Sequence, residues 1–262
     1  MISDQFLVTD RVAIVTGAGR GIGAASALAL AEAGADVLIA ARTRSDLESV
    51  AAQIAGVGRR AVIVEADVSE LDSIPGLVDT AVAEFGRLDI VVNNAGGSFP
   101  RPVLVTSARM FEKAFHFNVT TALELSKAAI PAMLANDGGS IVNISSLIGR
   151  LSDRGFAAYG TAKAALSHLT RLLAADTAPR IRVNGIAVGS VATSALETVL
   201  TDDSIRDSME STIPLGRLGL PSDIAAGVVY LSSPAAQWIT GKILEIDGGL
   251  ERPNLSLGIA DL

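Results

Sequence analysis

Tyr159 and Lys163 stand four residues apart in the run Tyr159-Gly160-Thr161-Ala162-Lys163. The surrounding stretch is rich in Ala and Leu and reads as helix, so both side chains leave one face. A phenol beside an ammonium has its phenolate form favoured by the neighbouring positive charge. At a few ångströms and an effective dielectric near 20, that attraction is about 4 kcal/mol. As an upper limit it would bring a phenol pKa of about 10 down to about 7. A tyrosine so placed could give or take a proton near neutral pH. Taken alone, a Tyr four residues before a Lys is an ordinary helix face, and the chemistry needs partners.

The first partner is an anion site near the start of the chain. Arg11-Val12-Ala13-Ile14-Val15-Thr16 reads as a short buried strand, and an Ala/Leu stretch from Ala24 to Ala33 reads as helix. Between them lies Gly17-Ala18-Gly19-Arg20-Gly21-Ile22-Gly23. Strand, glycine turn and helix N-terminus together suit a pyrophosphate, which meets free backbone N–H groups and the positive end of the helix dipole. The glycines let the backbone come close and the helix pack tightly on the sheet. The spacing is Gly-x-x-x-Gly-x-Gly through Gly17, Gly21 and Gly23, with Thr16 in front.

Two further runs close apolar strands with small polar residues. Asn93-Asn94-Ala95-Gly96 follows Leu88-Asp89-Ile90-Val91-Val92, and Ser146 ends Ser140-Ile141-Val142-Asn143-Ile144-Ser145-Ser146. The carboxyl ends of strands are where open α/β sheets hold ligands. A hydroxyl at Ser146 could donate to a substrate oxygen as charge develops on it, although a serine at a strand end also serves as a turn or helix cap.

With these motifs assembled, the chain resembles the short-chain dehydrogenase/reductase family over nearly its whole length. The matching residues are Thr16-Gly17-x-x-x-Gly21-x-Gly23, Asn93-Asn94-Ala95-Gly96, Asn118, Ser146 and Tyr159-x-x-x-Lys163. The resemblance implies a Rossmann-type domain that uses a nicotinamide cofactor to interconvert a carbonyl and an alcohol. By position, Tyr159 would be the general acid/base and Ser146 would hold the substrate oxygen. Lys163 would lower the tyrosine pKa and bond the nicotinamide ribose. Asn118 would hold a water linking Lys163 to solvent. Gly17, Arg20, Gly21, Ile22, Gly23, Asp67, Val68, Asn94, Ala95, Gly96, Gly189 and Val191 would join Tyr159 and Lys163 around the cofactor, with Asp67 by the adenine amine. The family's usual Pro-Gly after the sixth strand is Val188-Gly189 here. Losing the proline should loosen that turn, with Thr193 still expected to reach the carboxamide.

The elements that must position these groups alternate at short intervals. Strands are expected at 36–40, 61–65, 88–93, 140–145, 181–187 and 242–246, after the first at 11–16. Helices are expected at 45–55, at 71–85 with an early interruption at Pro75, within 108–134 as one long helix, at 157–176 and at 222–232. Seven strands with helical crossovers imply a three-layer, doubly wound parallel sheet in a single domain spanning 1–262. Residues 190–217 break the rhythm and read as a long irregular insertion suited to a substrate lid.

Composition bounds the reading. The 262 residues suffice for one large core. Apolar residues make up 49% with 25 glycines, as buried parallel strands under Ala-rich helices require. A net charge of −7 gives no footprint for nucleic acid. With no cysteine there is no disulfide or thiolate chemistry. His116 and His168 lack partners at metal spacing, and no metal site is expected. No signal pattern or apolar run of 18 residues stands out, so a soluble, cytoplasmic protein without membrane contact is expected.

The end of the second strand reads Ile39-Ala40-Ala41-Arg42-Thr43-Arg44. Relatives that prefer NAD place an acid there for the ribose 2′-hydroxyl. Here Ala41 takes its position, and Arg42 could fork onto a 2′-phosphate with Arg20 as a second cation. A hydrogen bond to a charged group is worth about 1.5–3 kcal/mol, so NADP(H) is expected ahead of NAD(H). Substrate walls are expected from 97–102, 147–156 and 190–217. These carry Phe99, Leu147, Leu151, Phe156, Leu196 and Met209, which suits a medium-sized, mainly apolar carbonyl compound. Arg101, Arg150 and Arg154 in the same loops could pair with an anionic group. Hydroxysteroid-like, 3-oxoacyl and polyol substrates all fit. The rival of a different class is a cofactor-binding redox sensor or scaffold without turnover, for which Ser146, Tyr159 and Lys163 need not be retained. The apolar sixth helix points to a homo-oligomer, expected as a tetramer. The tail from Leu250 to Leu262 is expected to pack on its own chain or on a neighbour near the site.

Overall fold

A computed structural model of the protein describes residues 1–193, 196, 203–255 and 258–259. Its sheet has seven strands: β1 (Val12–Thr16), β2 (Asp36–Ala41), β3 (Ala61–Glu65), β4 (Ile90–Asn93), β5 (Gly139–Ser146), β6 (Ile181–Val188) and β7 (Ile243–Ile246). They run in the order β3-β2-β1-β4-β5-β6-β7, every pair parallel. The described helices are α1 (Gly21–Glu32), α2 (Arg44–Gly56), α3 (Ile74–Phe85), α4 (Ala108–Phe115), α5 (Thr121–Leu134), α6 (Ala157–Thr177), α7 (Asp203–Ser211) and α8 (Pro221–Ser232).

Side-chain alternation along each strand divides the core into two layers. Ala13 and Val15 of β1, with Val37 and Ile39 of β2, meet Leu30 of α1, Ile54 of α2 and Val228 of α8. Val12 and Ile14, with Leu38 and Ala40, turn the other way onto Leu77 of α3, Leu125 of α5 and Leu173 of α6. Helices on both faces of a parallel sheet explain why the strands read as unbroken β-branched runs. This is the doubly wound, Rossmann-like α/β fold that the sequence implied. Strand order reverses between β1 and β4, and the carboxyl ends of these two strands flank the crevice where such sheets bind ligands.

Three local expectations change. Residues 108–134 form two α-helices joined by a π-helical turn, His116–Thr120. The Asn118 side chain supplies a cause, because its Nδ2 donates to the Ala114 carbonyl at 2.8 Å and so competes with the regular backbone ladder. Pro75 does not interrupt a helix: Leu71–Ser73 is a separate 3-10 turn, and Pro75 lies in the first turn of α3, where a missing N–H removes no ladder bond. Within 190–217 the chain is not wholly irregular, since α7 lies there, while 194–195 and 197–202 fall outside the described residues. Val188, where the family's proline would stand, is the last rung of β6, paired with Ser146 on one side and Ile246 on the other.

Candidate active site

The glycine turn is shaped by backbone constraints. Gly17 and Gly21 adopt φ of 64° and 57°, left-handed values that side chains with a Cβ resist. Arg20 stands at the N-cap of α1 without a side-chain capping bond, which leaves first-turn N–H groups for an anion. The Asn93–Gly96 run is strapped to this turn. Thr16 Oγ1 accepts from the N–H groups of Asn94 and Ala95, both at 3.1 Å. Asn94 Nδ2 donates to the carbonyls of Thr16 at 2.9 Å and Gly17 at 3.2 Å.

A cleft of about 940 Å³ opens over these carboxyl ends, at the upper end of ligand-site volumes. It is lined by Gly17, Arg20, Gly21 and Ile22 of the turn, Arg42 after β2, Asp67 and Val68 after β3, and Asn94, Ala95 and Gly96 after β4. Ser146, Tyr159, Lys163, Gly189, Val191 and Thr193 complete its far wall. The sequence-derived set therefore converges, with two exceptions. Gly23 lies beneath the turn rather than on the cleft: a Cβ there would sit 2.2 Å from the Gly17 carbonyl oxygen and 2.5 Å from Asn94 Nδ2. Its role is close packing of α1. Asn118 is buried below the cleft floor, where Oδ1 accepts from Gly97 N–H at 2.9 Å and Nδ2 donates to the Gly97 carbonyl at 3.0 Å.

Glycine at 96 has a steric reason. A Cβ at Gly96 would stand 2.7 Å from Asn118 Oδ1 and 3.0 Å from Lys163 Nζ. The open space above Gly96 is thus where these two polar groups approach each other. Lys163 is 4% exposed, and Nζ donates to the Ile144 carbonyl at 2.8 Å. Burial lowers its pKa from 10.5 to about 8. Ser146 Oγ accepts from Ile148 N–H at 3.3 Å, capping a 3-10 turn, and shares a hydrogen bond with the Tyr159 phenol. The cap and the ligand-facing hydroxyl are one group.

The expected lowering of the Tyr159 pKa is not what the folded chain produces. Burial pushes the phenol above its ordinary value of 10, and the Ser146 bond only partly offsets this. Lys163 Nζ stands 5.7 Å from the ring centre. Desolvation outweighs the fields acting on the phenol, because it penalises the phenolate directly.

At the adenosine end, Asp67 is held below the usual carboxylate range by hydrogen bonds from the Ser69 hydroxyl and N–H, assisted by Arg42 and Lys113. Arg42 Nη1 lies 3.8 Å from Asp67 Oδ2 with its side chain 71% exposed, a weak pairing that leaves the guanidinium available. Asp46 of α2 also reaches this wall. Among the described residues, no cluster of His, Asp and Glu has an arrangement that would hold a metal ion, and no helix is long and apolar enough to cross a membrane.

The substrate walls differ from the sequence reading. Phe99 and Arg101 line the cleft. Leu147, Leu151, Leu196 and Met209 instead form a cluster of their own with Ile213, Leu218 and Leu250, and Phe156 packs on the Tyr159 ring at 6.2 Å. Met110, Lys113 and Phe117 line the cleft and were missed. Their spacing of three and four along one helical face was the available signal. The tail does fold back on its own chain: Asn254 Oδ1 accepts from Ser190 Oγ at 2.7 Å, and Arg154 Nη1 donates to the Ile259 carbonyl at 3.0 Å. Leu257 and Leu262 lie outside the described residues.

A dinucleotide fits this geometry, because the turn offers uncapped N–H groups over two left-handed glycines and the cleft continues past them to a serine, a tyrosine and a lysine. A parallel sheet with such a crevice at its switch point defines the class as a Rossmann-type dinucleotide-binding protein. Residues 17–251 match a family profile described as enoyl-(acyl carrier protein) reductase. The chain belongs to the short-chain dehydrogenase/reductase family, and it is an NAD(P)-dependent oxidoreductase acting on CH–OH groups. It is 58% identical, over 100% of both chains, to an uncharacterized oxidoreductase of Mycobacterium tuberculosis (strain CDC 1551 / Oshkosh). It is 38% identical to the 7alpha-hydroxysteroid dehydrogenase of Escherichia coli (strain K12), over 94% of this chain and 96% of that one. Among solved structures it is similar to a 7 alpha-hydroxysteroid dehydrogenase complexed with NADH and 7-oxo glycochenodeoxycholic acid. That match has a TM-score of 0.91 and 38% identity, covering 94% of this chain and 96% of the other. A second similar structure is a putative NAD(P)-dependent gluconate 5-dehydrogenase from Beutenbergia cavernae with bound NADP, at a TM-score of 0.87 and 37% identity, covering 94% and 98%.

Proposed function

We propose that this enzyme interconverts a ketone and a secondary alcohol on a mainly apolar substrate, with NADP(H) preferred over NAD(H). The observation that carries the reading is the meeting of Ser146, Tyr159 and Lys163 on one wall of the cleft. When bound, the nicotinamide supplies the hydride for reduction or accepts it in oxidation. Gly17, Gly21, Ile22 and the α1 N-terminus would hold the pyrophosphate, Asp67 and Val68 would serve the adenine, and Asn94, Ala95, Gly96, Gly189, Val191 and Thr193 would hold the remainder. Ser146 donates to the carbonyl oxygen and orients it. Tyr159 gives its phenolic proton to that oxygen in reduction and takes it back in oxidation.

A phenol held above 10 is a competent proton donor, and the reverse direction needs further help from charge. Lys163 supplies it, because near pH 7 its ammonium is the positive group in the desolvated wall beside Tyr159. Asn118, approaching Lys163 across Gly96, is placed to hold a water on the route that restores the proton.

Arg42 and Arg20, with Ala41 where an acid would repel a phosphate, support NADP(H). Two relatives support an apolar or ring ketone: one is complexed with a 7-oxo bile acid, and a 38% identical one is a cis-4-hydroxycyclohexanecarboxylate dehydrogenase. In this reading the described residues of the insertion, 190–193, 196 and 203–217, serve as the substrate lid. Exposed Phe111, Phe115, Leu172 and Trp238 support self-association, with a tetramer as the proposed form, which sedimentation tests. The function is tested by following reduced-nicotinamide oxidation against steroid ketones, cyclic ketones, 3-oxoacyl thioesters and ketoses, each with NADPH and NADH. Tight NADPH binding with no turnover on any class would favour the redox-sensor alternative.

A further inference from the structure

Of the three loop arginines that the sequence offered to an anionic group, only Arg101 lines the cleft, and their environments separate them. Arg150 is neutralised: Nε lies 2.9 Å from Glu245 Oε1 and Nη1 lies 3.7 Å from Glu251 Oε2. Arg154 is engaged with the tail through the Ile259 carbonyl. Arg101 differs. It lines the cleft with an exposed side chain, and among the described residues its guanidinium has no carboxylate within ion-pair distance.

The backbone of Arg101 is nonetheless fixed. Its N–H donates to the Gly155 carbonyl at 2.8 Å, tying the loop after β4 to the loop that leads into the Tyr159 helix. The cleft's remaining side-chain cations divide between its ends. Arg42 and Lys113 are close enough to Asp67 to act on its carboxyl, and Arg20 belongs to the glycine turn. Lys163 is buried beside Tyr159. Arg101 shares its part of the lining with Phe99, two residues before it, and the same cleft carries Met110; these apolar groups are 88% and 41% exposed.

We propose that Arg101 is the anchoring cation for a carboxylate carried by the substrate at the end remote from its carbonyl, so that the enzyme acts on apolar oxo- and hydroxy-carboxylic acids. This rests on the ketone/alcohol reading above and narrows it. A planar guanidinium takes a carboxylate through two parallel hydrogen bonds, and Phe99 with Met110 offers apolar surface to the body of the substrate. Because the anchor would hold the end of the substrate remote from its carbonyl, it binds ground state and transition state alike and acts on KM rather than kcat.

The test compares 4-oxocyclohexanecarboxylate and a keto-cholanoic acid with their primary carboxamides, at saturating NADPH, for the full-length enzyme and Arg101→Gln. The wild type is expected to favour at least one acid over its amide by about tenfold in kcat/KM, expressed in KM, as one exposed charge-assisted contact implies. In Arg101→Gln that ratio should fall to about one, with Arg101→Lys intermediate because it keeps the charge and loses the fork. Equal rates on acid and amide in the wild type would overturn the proposal, as would a preference that survives Arg101→Gln. Turnover confined to neutral ketones would also overturn it while leaving the ketone/alcohol reading intact. A weakened NADPH Kd in Arg101→Gln with an unchanged ratio would assign the residue to the cofactor instead. Absence of both NADPH binding and turnover on every ketone would defeat the broader reading, and this inference with it.

Discussion

Lys163 Nζ donates to the Ile144 carbonyl at 2.8 Å while standing 5.7 Å from the centre of the Tyr159 ring. The ammonium is therefore anchored to β5, in a desolvated wall shared with the phenol. Function requires this charge where folding disfavours it.

The cost should be visible in the pH dependence of stability. In the folded chain Lys163 titrates at about 8, against 10.5 ordinarily. Between these values the unfolded chain binds more protons, so stability rises as pH increases from 8. Tyr159, raised above 10 by burial, contributes with the opposite sign only above 10. Between pH 8 and 10 the urea-derived stability of the cofactor-free wild type should gain about 2 kcal/mol relative to Lys163→Met. Parallel curves for the two proteins would contradict the buried charge.

Cofactor choice should follow Arg42. Its exposure moderates the contact, so Arg42→Ala is expected to lower kcat/KM for NADPH by about tenfold, leaving NADH nearly unchanged. Ala41→Asp combined with Arg42→Ala should invert the preference, since the new carboxylate accepts a 2′-hydroxyl and repels a 2′-phosphate. Steady-state kinetics with both cofactors decides it: equal losses for NADPH and NADH would remove Arg42 from the 2′ position.

Glycines 23 and 76 should respond oppositely to alanine. At Gly23 the added methyl meets the Gly17 carbonyl at 2.2 Å, and backbone cannot yield cheaply. Gly23→Ala should cost about 2–3 kcal/mol and weaken cofactor binding. Gly76, in the first turns of α3, has nothing within 4 Å of such a methyl, so Gly76→Ala should stabilise by about 0.5–1 kcal/mol. Denaturant midpoints measure both; a tolerated Gly23→Ala would refute the packing at the turn.

Local patterns carried most of the fold. The apolar runs at 11–16, 36–40 and 181–187 read as strands because both faces of a parallel sheet are buried, and the turn at 17–23 declared itself by glycine spacing. The Tyr159/Lys163 pair was legible only once helical spacing was joined to the glycine turn, the Asn93–Gly96 run and Ser146. What escaped depends on contacts distant in sequence. Nothing near Arg150 foretells that Glu245 will neutralise it, and the direction of the Tyr159 pKa follows from burial that no spacing encodes. Asn118 redirected its own helix through one side-chain bond to Ala114, an outcome that the apolar pattern of 108–134 conceals. Met110, Lys113 and Phe117 were readable as a face, but only the packing of α4 and the π-helical turn against α6 fixes that face on the cleft.

The account stands most directly on Tyr159 as the proton donor and acceptor. The decisive measurement is kcat/KM for NADPH-linked ketone reduction by wild type and Tyr159→Phe, with NADPH Kd measured in parallel. The account predicts a loss of about 10²–10⁴-fold at a nearly unchanged cofactor Kd. Turnover undiminished in Tyr159→Phe would contradict it.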